Sequence, residues 1–205
     1  MKYLIFDFNG TIVDDLPLVV EIMTESLKTK EIDLSKYSIE YLRRKGVRKF
    51  MEEINISKIE LLWIYKEVKQ KIKARQSSCP IVKDLKKYLS ELSSKYKLLI
   101  FSNNSPEVIK DYLVKNSIDK YFSGVYEDNS YFGKDVGLTK ILKELKIDKN
   151  DVTYFGDESR DIVAAKKAGI KSVAVTWGFE GEIPLSTANP DFLINKPEEL
   201  LNIDY

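Results

Sequence analysis

Four short stretches of this 205-residue chain put reactive side chains where apolar runs end. The first is Asp7-Phe8-Asn9-Gly10-Thr11, which follows the apolar run at 3–6. That run is too short for a helix and rich in strand formers, so it predicts a buried strand with Asp7 at its carboxyl end. A carboxylate held rigidly at a strand tip can attack phosphorus and form an acyl phosphate. Gly10 lets the backbone turn close to a bound group, leaving N–H donors for phosphate oxygens, and the Thr11 hydroxyl adds a further donor. The same residues also read as a strand and an Asn-Gly turn with no chemistry attached.

The other three stretches carry complementary groups. Ser102-Asn103-Asn104 offers a hydroxyl and two amides between the apolar run 98–101 and a helix start at Ser105-Pro106. This fits a phosphate site at a helix N-terminus, and equally an ordinary cap. Lys134 lies in Gly133-Lys134-Asp135 just before a helix, where its ammonium can neutralise a phosphoryl group or the attacking carboxylate, or simply stand in solvent. Finally the run 152–155 ends in Gly156-Asp157-Glu158-Ser159-Arg160-Asp161. Three acids around one strand tip repel unless a cation or basic group sits among them, and all-oxygen donors suit Mg²⁺. Helix capping accounts for one of these acids but not for all three.

These groups need a scaffold that gathers strand ends, and the remaining pattern supplies one. From about 78 onward, strands at 97–101, 124–126, 152–155, 172–176 and 191–194 alternate with helices at 83–96, 106–115, 135–146 and 159–168, with a short terminal helix at the end. Such alternation predicts an α/β fold with a Rossmann-like, doubly wound, mostly parallel sheet. Residues 16–77 read as helices only. Leu16, Val19, Val20, Met23 and Leu27 recur at helical spacing after a cap at Asp15 and Pro17; Ser38 and Gly46 bracket a second helix; Ser57 and Glu60 form a capping box ahead of Leu61, Ile64, Tyr65, Val68 and Ile72. The small-residue and proline stretch 77–80 suits a hinge returning from that unit.

Composition excludes several function classes. Thirty-three Lys and Arg against 32 Asp and Glu give no global field to recruit nucleic acid or an anionic membrane. No histidine is present, which removes the usual general base and the commonest zinc ligand. Catalysis must rest on carboxylates, hydroxyls, lysine and a hard cation. One cysteine, no leader-like start and no apolar run near ~20 residues predict a cytoplasmic protein without a membrane span.

Taken together, in this order and spacing, the four stretches resemble the haloacid dehalogenase superfamily of phosphohydrolases, and the resemblance continues through 164–169 and Thr176-Trp177-Gly178-Phe179. Residues 1–15 and 78–205 then look like the Rossmann-like core and 16–77 like an inserted all-helical cap, nearest the phosphoglycolate phosphatase and β-phosphoglucomutase branch. The resemblance implies Asp7 as nucleophile and Mg²⁺ on the Asp7 and Asp157 carboxylates and the Asn9 carbonyl. Glu158 and Asp161 would support the metal and the lysine, and Gly10, Thr11, Ser102, Asn103 and Lys134 would hold the phosphoryl group of a small phosphorylated metabolite. Arg43, Arg44 and Lys45 are candidates for reading a second anionic group, or are a solvated basic face.

Asn9 departs from the pattern. The family's phosphatases usually carry aspartate there as general acid and base, and an amide cannot exchange a proton at neutral pH, so a contribution of roughly 10²- to 10⁴-fold is removed. Two expectations follow: a Mg²⁺-dependent phosphatase slowed at this step, or an impaired phosphate-binding or regulatory protein. Metal-free dehalogenation on the same scaffold is disfavoured by the acids at 157–161.

Overall fold

The computed structural model of the chain describes residues 1–27, 32–54, 56–130 and 133–205. Six strands, β1 (Tyr3–Phe6), β2 (Lys97–Ser102), β3 (Phe122–Glu127), β4 (Val152–Gly156), β5 (Lys171–Val175) and β6 (Phe192–Ile194), form one sheet. Every pairing is parallel, in the order β3-β2-β1-β4-β5-β6. A parallel sheet is covered on both faces, and the period-2 alternation of the central strands does this. Phe6, Leu98, Ile100 and Phe155 point into one apolar cluster, while Ile5, Leu99, Phe101 and Tyr154 point into another.

The first cluster is roofed by α5 (Leu85–Ser93) and α6 (Pro106–Lys115), through Leu85, Leu89, Leu92, Ile109 and Leu113. The second lies under α7 (Lys134–Glu144) and α8 (Ser159–Ala168), through Leu138, Ile141, Leu142, Ala164 and Ala165. A short α9 (Glu182–Thr187) follows β5. The expected doubly wound α/β sheet is therefore what the chain builds. The strand order reverses at β1, so the carboxyl ends of β1 and β4 flank the crevice where such sheets take their ligands.

Between β1 and α5 run four α-helices, two 3₁₀ turns and no strand among the described residues: α1 (Leu16–Leu27), α2 (Ile39–Lys45), α3 (Val47–Glu53) and α4 (Lys58–Arg75). Ser38 accepts from the Tyr41 amide and the Ser57/Glu60 capping box forms as read from the sequence. Ile64 and Val68 are buried, whereas the side chains of Leu61 and Tyr65 lie outside the described residues. The two chain crossings between this helical unit and the sheet are zipped together. Val13 bridges Ile81, Asp14 N–H donates to Pro80 O at 3.0 Å and Val82 N–H to Ile12 O at 3.0 Å.

The differences from the sequence pattern have local causes. Gly46, at φ +80°, ends α2 and opens α3 directly, so no polar stretch announces the extra helix. Asp84 takes a left-handed conformation, φ +65°, which delays α5 to Leu85. The terminal helix is a 3₁₀ turn, Pro197–Asn202. No helix among the described residues is long and apolar enough to cross a membrane.

Candidate active site

β1 delivers Asp7 to the crevice, and β4 delivers Asp157 beside it. The two strands run in register through Phe6 and Phe155, whose rings stack at 4.4 Å, and the Asp7 amide donates to Phe155 O at 2.8 Å. One turn into α8, Asp161 reaches back to the same place. Carboxylate oxygens of Asp7, Asp157 and Asp161 lie within 4.8 Å of one another, all three side chains buried. Lys134, at the start of α7, inserts its Nζ between two of them, 2.8 Å from Asp7 Oδ2 and 2.6 Å from Asp161 Oδ1.

Burial raises the Asp7 pKa against the pull of Lys134. Burial raises Asp157 much further, with Glu158, Asp161 and Asp7 adding to it. For Lys134, burial opposes the charge, but Asp161 and Asp7 outweigh it and hold the ammonium well above its ordinary range. Glu158 is pushed up to about 7 by burial against its bonded Arg160. Among the described residues the cationic partners of Asp7, Asp157, Glu158 and Asp161 are Lys134 and Arg160, so with all four carboxyls ionised two negative charges stand unmatched. Buried carboxylates left in excess, with only oxygen donors, fit a divalent cation.

Gly10 is required where it stands. Its φ is +68°, and a Cβ there would meet Asp157 Oδ2 at 2.0 Å. Its N–H is taken by Asp15 Oδ1 at 3.0 Å, and the Phe8 N–H by Asp7 Oδ1 at 2.7 Å. The Thr11 hydroxyl donates to Asp157 Oδ1 at 2.9 Å, and Phe179 N–H holds the other oxygen at 2.8 Å. Thus Thr11 here orients Asp157 rather than standing free. Ser102 is buried at the end of β2, and Asn103 lines an open cavity with Lys134, Arg160 and Lys69 of α4.

The basic cluster on α2 divides. Arg43 Nε donates to Gly178 O at 2.8 Å and its Nη2 lies 3.6 Å from Asp14 Oδ1, so it clasps the 177–181 loop against the helical unit. Arg44 lies over the Tyr41 ring and Lys45 pairs with Glu53 at 2.8 Å; these contacts keep both within the helical unit.

Two polar residues, Asp15 and Gln76, join the site without having been singled out for it in the sequence, and Asn104, read there as a phosphate-side amide, links them through Asn9. Asp15 is fully buried, and instead of capping α1 it turns back to accept from Asn9 Nδ2 and the Gly10 amide. Burial pushes its pKa up to about 6 against those hydrogen bonds. Asn9 Oδ1 in turn accepts from Asn104 Nδ2, which also faces Gln76 Oε1 at 3.4 Å. An acid directly before a helix with proline in its first turn looks like a cap, and only the fold reveals its other partner.

The profile of the haloacid dehalogenase-like hydrolases matches residues 4–175. A phosphoglycolate phosphatase of Synechococcus elongatus is 31% identical, the alignment covering 98% of this chain and 96% of that protein. The chain belongs to the haloacid dehalogenase-like hydrolase family. Other relatives of this hydrolase include the pyrophosphatase PpaX of Bacillus anthracis, 25% identical over 97% of this chain and 94% of the relative. In structure, a haloacid dehalogenase-like family protein of Streptococcus pneumoniae superposes with a TM-score of 0.76 at 21% identity, covering 98% of this chain and 97% of that one. The superposition fixes the fold, and the chemistry rests on the site.

Proposed function

We propose that this hydrolase is a Mg²⁺-dependent phosphatase acting on a small phosphomonoester, phosphoglycolate-like or a sugar phosphate, through an aspartyl phosphate on Asp7. The observation that carries it is the Asp7 carboxylate at a strand tip, bonded to Lys134 and sharing a buried cluster with Asp157. Asp7 and Asp157, with the Asn9 carbonyl, would hold the cation, which when bound offsets charge between the phosphoryl oxygens and Asp7. One Asp7 oxygen attacks phosphorus as the bond to the ester oxygen breaks, and the leaving oxygen takes its proton from a water molecule, since the Asn9 amide cannot give one. Water then adds to phosphorus, the acyl phosphate bond breaks, and inorganic phosphate and the Asp7 carboxylate are released.

Lys134 keeps Asp7 charged and aimed, and its ammonium also faces the phosphoryl oxygens. Ser102 and Asn103, at the tip of β2, supply hydrogen bonds to them. Asp161 fixes Lys134, and Glu158 holds Arg160 at the mouth of the cavity. Residues 16–77 act as a cap on a core made of 1–15 and 78–205. The zipped crossings and the Arg43 clasp support a cap that closes over the site and excludes water. The single thiol, on Cys79, fits a reducing cytoplasm.

One observation favours a second reading, a catalytically impaired phosphate-binding protein. Asn9 stands where a proton is needed, and both ends of its amide are already engaged. Phosphate release from p-nitrophenyl phosphate and phosphoglycolate with Mg²⁺ separates the two. Release above an Asp7→Asn control supports the phosphatase. No release by the natural chain, with binding of phosphate esters retained, supports the second reading.

A further inference from the structure

Gln76 sits in the 3₁₀ turn Gln76–Ser78 at the end of α4, where the chain returns from the helical unit, and it is 1% exposed. Its Oε1 faces Asn104, but its Nε2 has no hydrogen-bond partner. Among the described residues only the Tyr154 hydroxyl shares that condition, and it lies in the core beneath Lys134. A buried amide donor left unpaired destabilises a fold, and a methionine would fill the same space without that penalty. An acceptor outside the chain, a water or a ligand group, can complete the donor.

The neighbours say where that acceptor lies. Asn9 is two residues past Asp7 and Asn104 two past Ser102, so the row Asn9, Asn104, Gln76 leads from the phosphoryl end toward the helical unit. With the phosphoryl group at Asp7 and Lys134, we place the alcohol side of the ester along this row. Asp15, a buried carboxylate bonded to Asn9, and the neutral amides of Asn104 and Gln76 disfavour a second full anion along the row. We infer that Gln76 is a specificity-determining residue, its Nε2 donating to a neutral oxygen, hydroxyl or carbonyl, on the leaving alcohol of the substrate. The substrate class is then a polyol or sugar phosphate, an inference that rests on the phosphatase reading above.

The test compares 2-hydroxyethyl phosphate, ethyl phosphate and phosphoglycolate with the full chain and Mg²⁺. The natural protein should prefer 2-hydroxyethyl over ethyl phosphate by about 10-fold in kcat/KM, and Gln76→Met should cut that ratio at least fivefold without lowering Tm. Gln76→Leu, which offers neither donor nor acceptor, should abolish the preference too and serves if the methionine variant does not fold. Equal ratios in natural and variant proteins would overturn the inference and leave a bound water as the partner of Nε2. A Gln76-dependent preference for phosphoglycolate over 2-hydroxyethyl phosphate would overturn the neutral-oxygen assignment. If no ester is hydrolysed at all, the phosphatase reading fails on its own. The ester-induced Tm shift of Asp7→Asn, with and without Gln76→Met, still decides the role of Gln76.

Discussion

Changing Asn9 to aspartate does more than place a proton carrier two residues past Asp7. Asn9 Nδ2 donates to the carboxylate of Asp15, a side chain with no exposure. Asn9→Asp replaces that donor with an oxygen and sets two carboxyl groups face to face. At a hydrogen-bond separation of about 3 Å and an effective dielectric of about 20, two unit charges repel by roughly 5 kcal/mol, so the pair holds one proton between them. The folded state then keeps a proton that the unfolded chain releases near pH 4. Stability therefore falls as pH rises, by about 1.4 kcal/mol per unit, until the raised pKa of the pair is passed. The double variant Asn9→Asp, Asp15→Asn restores an amide opposite a carboxylate and removes that slope. Turnover follows the same logic: the double variant should exceed the natural chain by about 10²- to 10⁴-fold at pH 7, while the single variant should reach its best rate at lower pH. Phosphate release and chemical denaturation from pH 5 to 9 measure both. Identical pH profiles and stabilities for the single and double variants would refute the Asn9–Asp15 contact as the controlling interaction.

Asp15 alone makes a related prediction. Its pKa is raised from 3.8 to about 6, so its burial weighs against folding above that range and not below about pH 4. Asp15→Asn should gain up to about 3 kcal/mol over the natural chain as pH rises from 4 to 7, read by denaturation with chelator present. Lys134→Met leaves Asp7 and Asp161 without their shared ammonium, and should cost about 3–5 kcal/mol together with all phosphate release; retained stability would mean that the pair is not formed. Asp157→Asn should abolish the Mg²⁺-induced rise in Tm while leaving a folded protein, and an unchanged rise would move the cation elsewhere. Arg43→Ala removes the side-chain bond to Gly178 while the Gly181 N–H to Arg43 O bond stays, and should raise KM more than it lowers kcat.

The parts readable from sequence are those in which local pattern and tertiary demand coincide. Tyr3 to Phe6 is apolar because both faces of β1 are covered, and Asp7 ends the run because the crevice begins there, so one stretch announces strand and site together. Ser57 and Glu60 announce a helix start because a capping box closes within four residues. The polar row behind Asn9 has no such signature. Asp15 sits ahead of Pro17 just as a cap would, and its actual partners depend on the turn at Gly10 rather than on the helix it precedes. Gln76 looks like one more polar residue at the end of a long charged helix, and Asn104 like a spare amide before Ser105. They become a site only because the crossings near 13 and 81 bring the return of the insert against the first strand's turn. The same zipper explains why the chemistry at position 9 is hard to judge from sequence. Reading Asn9 as a lost acid treats it as an isolated substitution, whereas the fold pairs it with a buried carboxylate six residues on. Amide and acid are one unit, and their proton inventory has to be altered together.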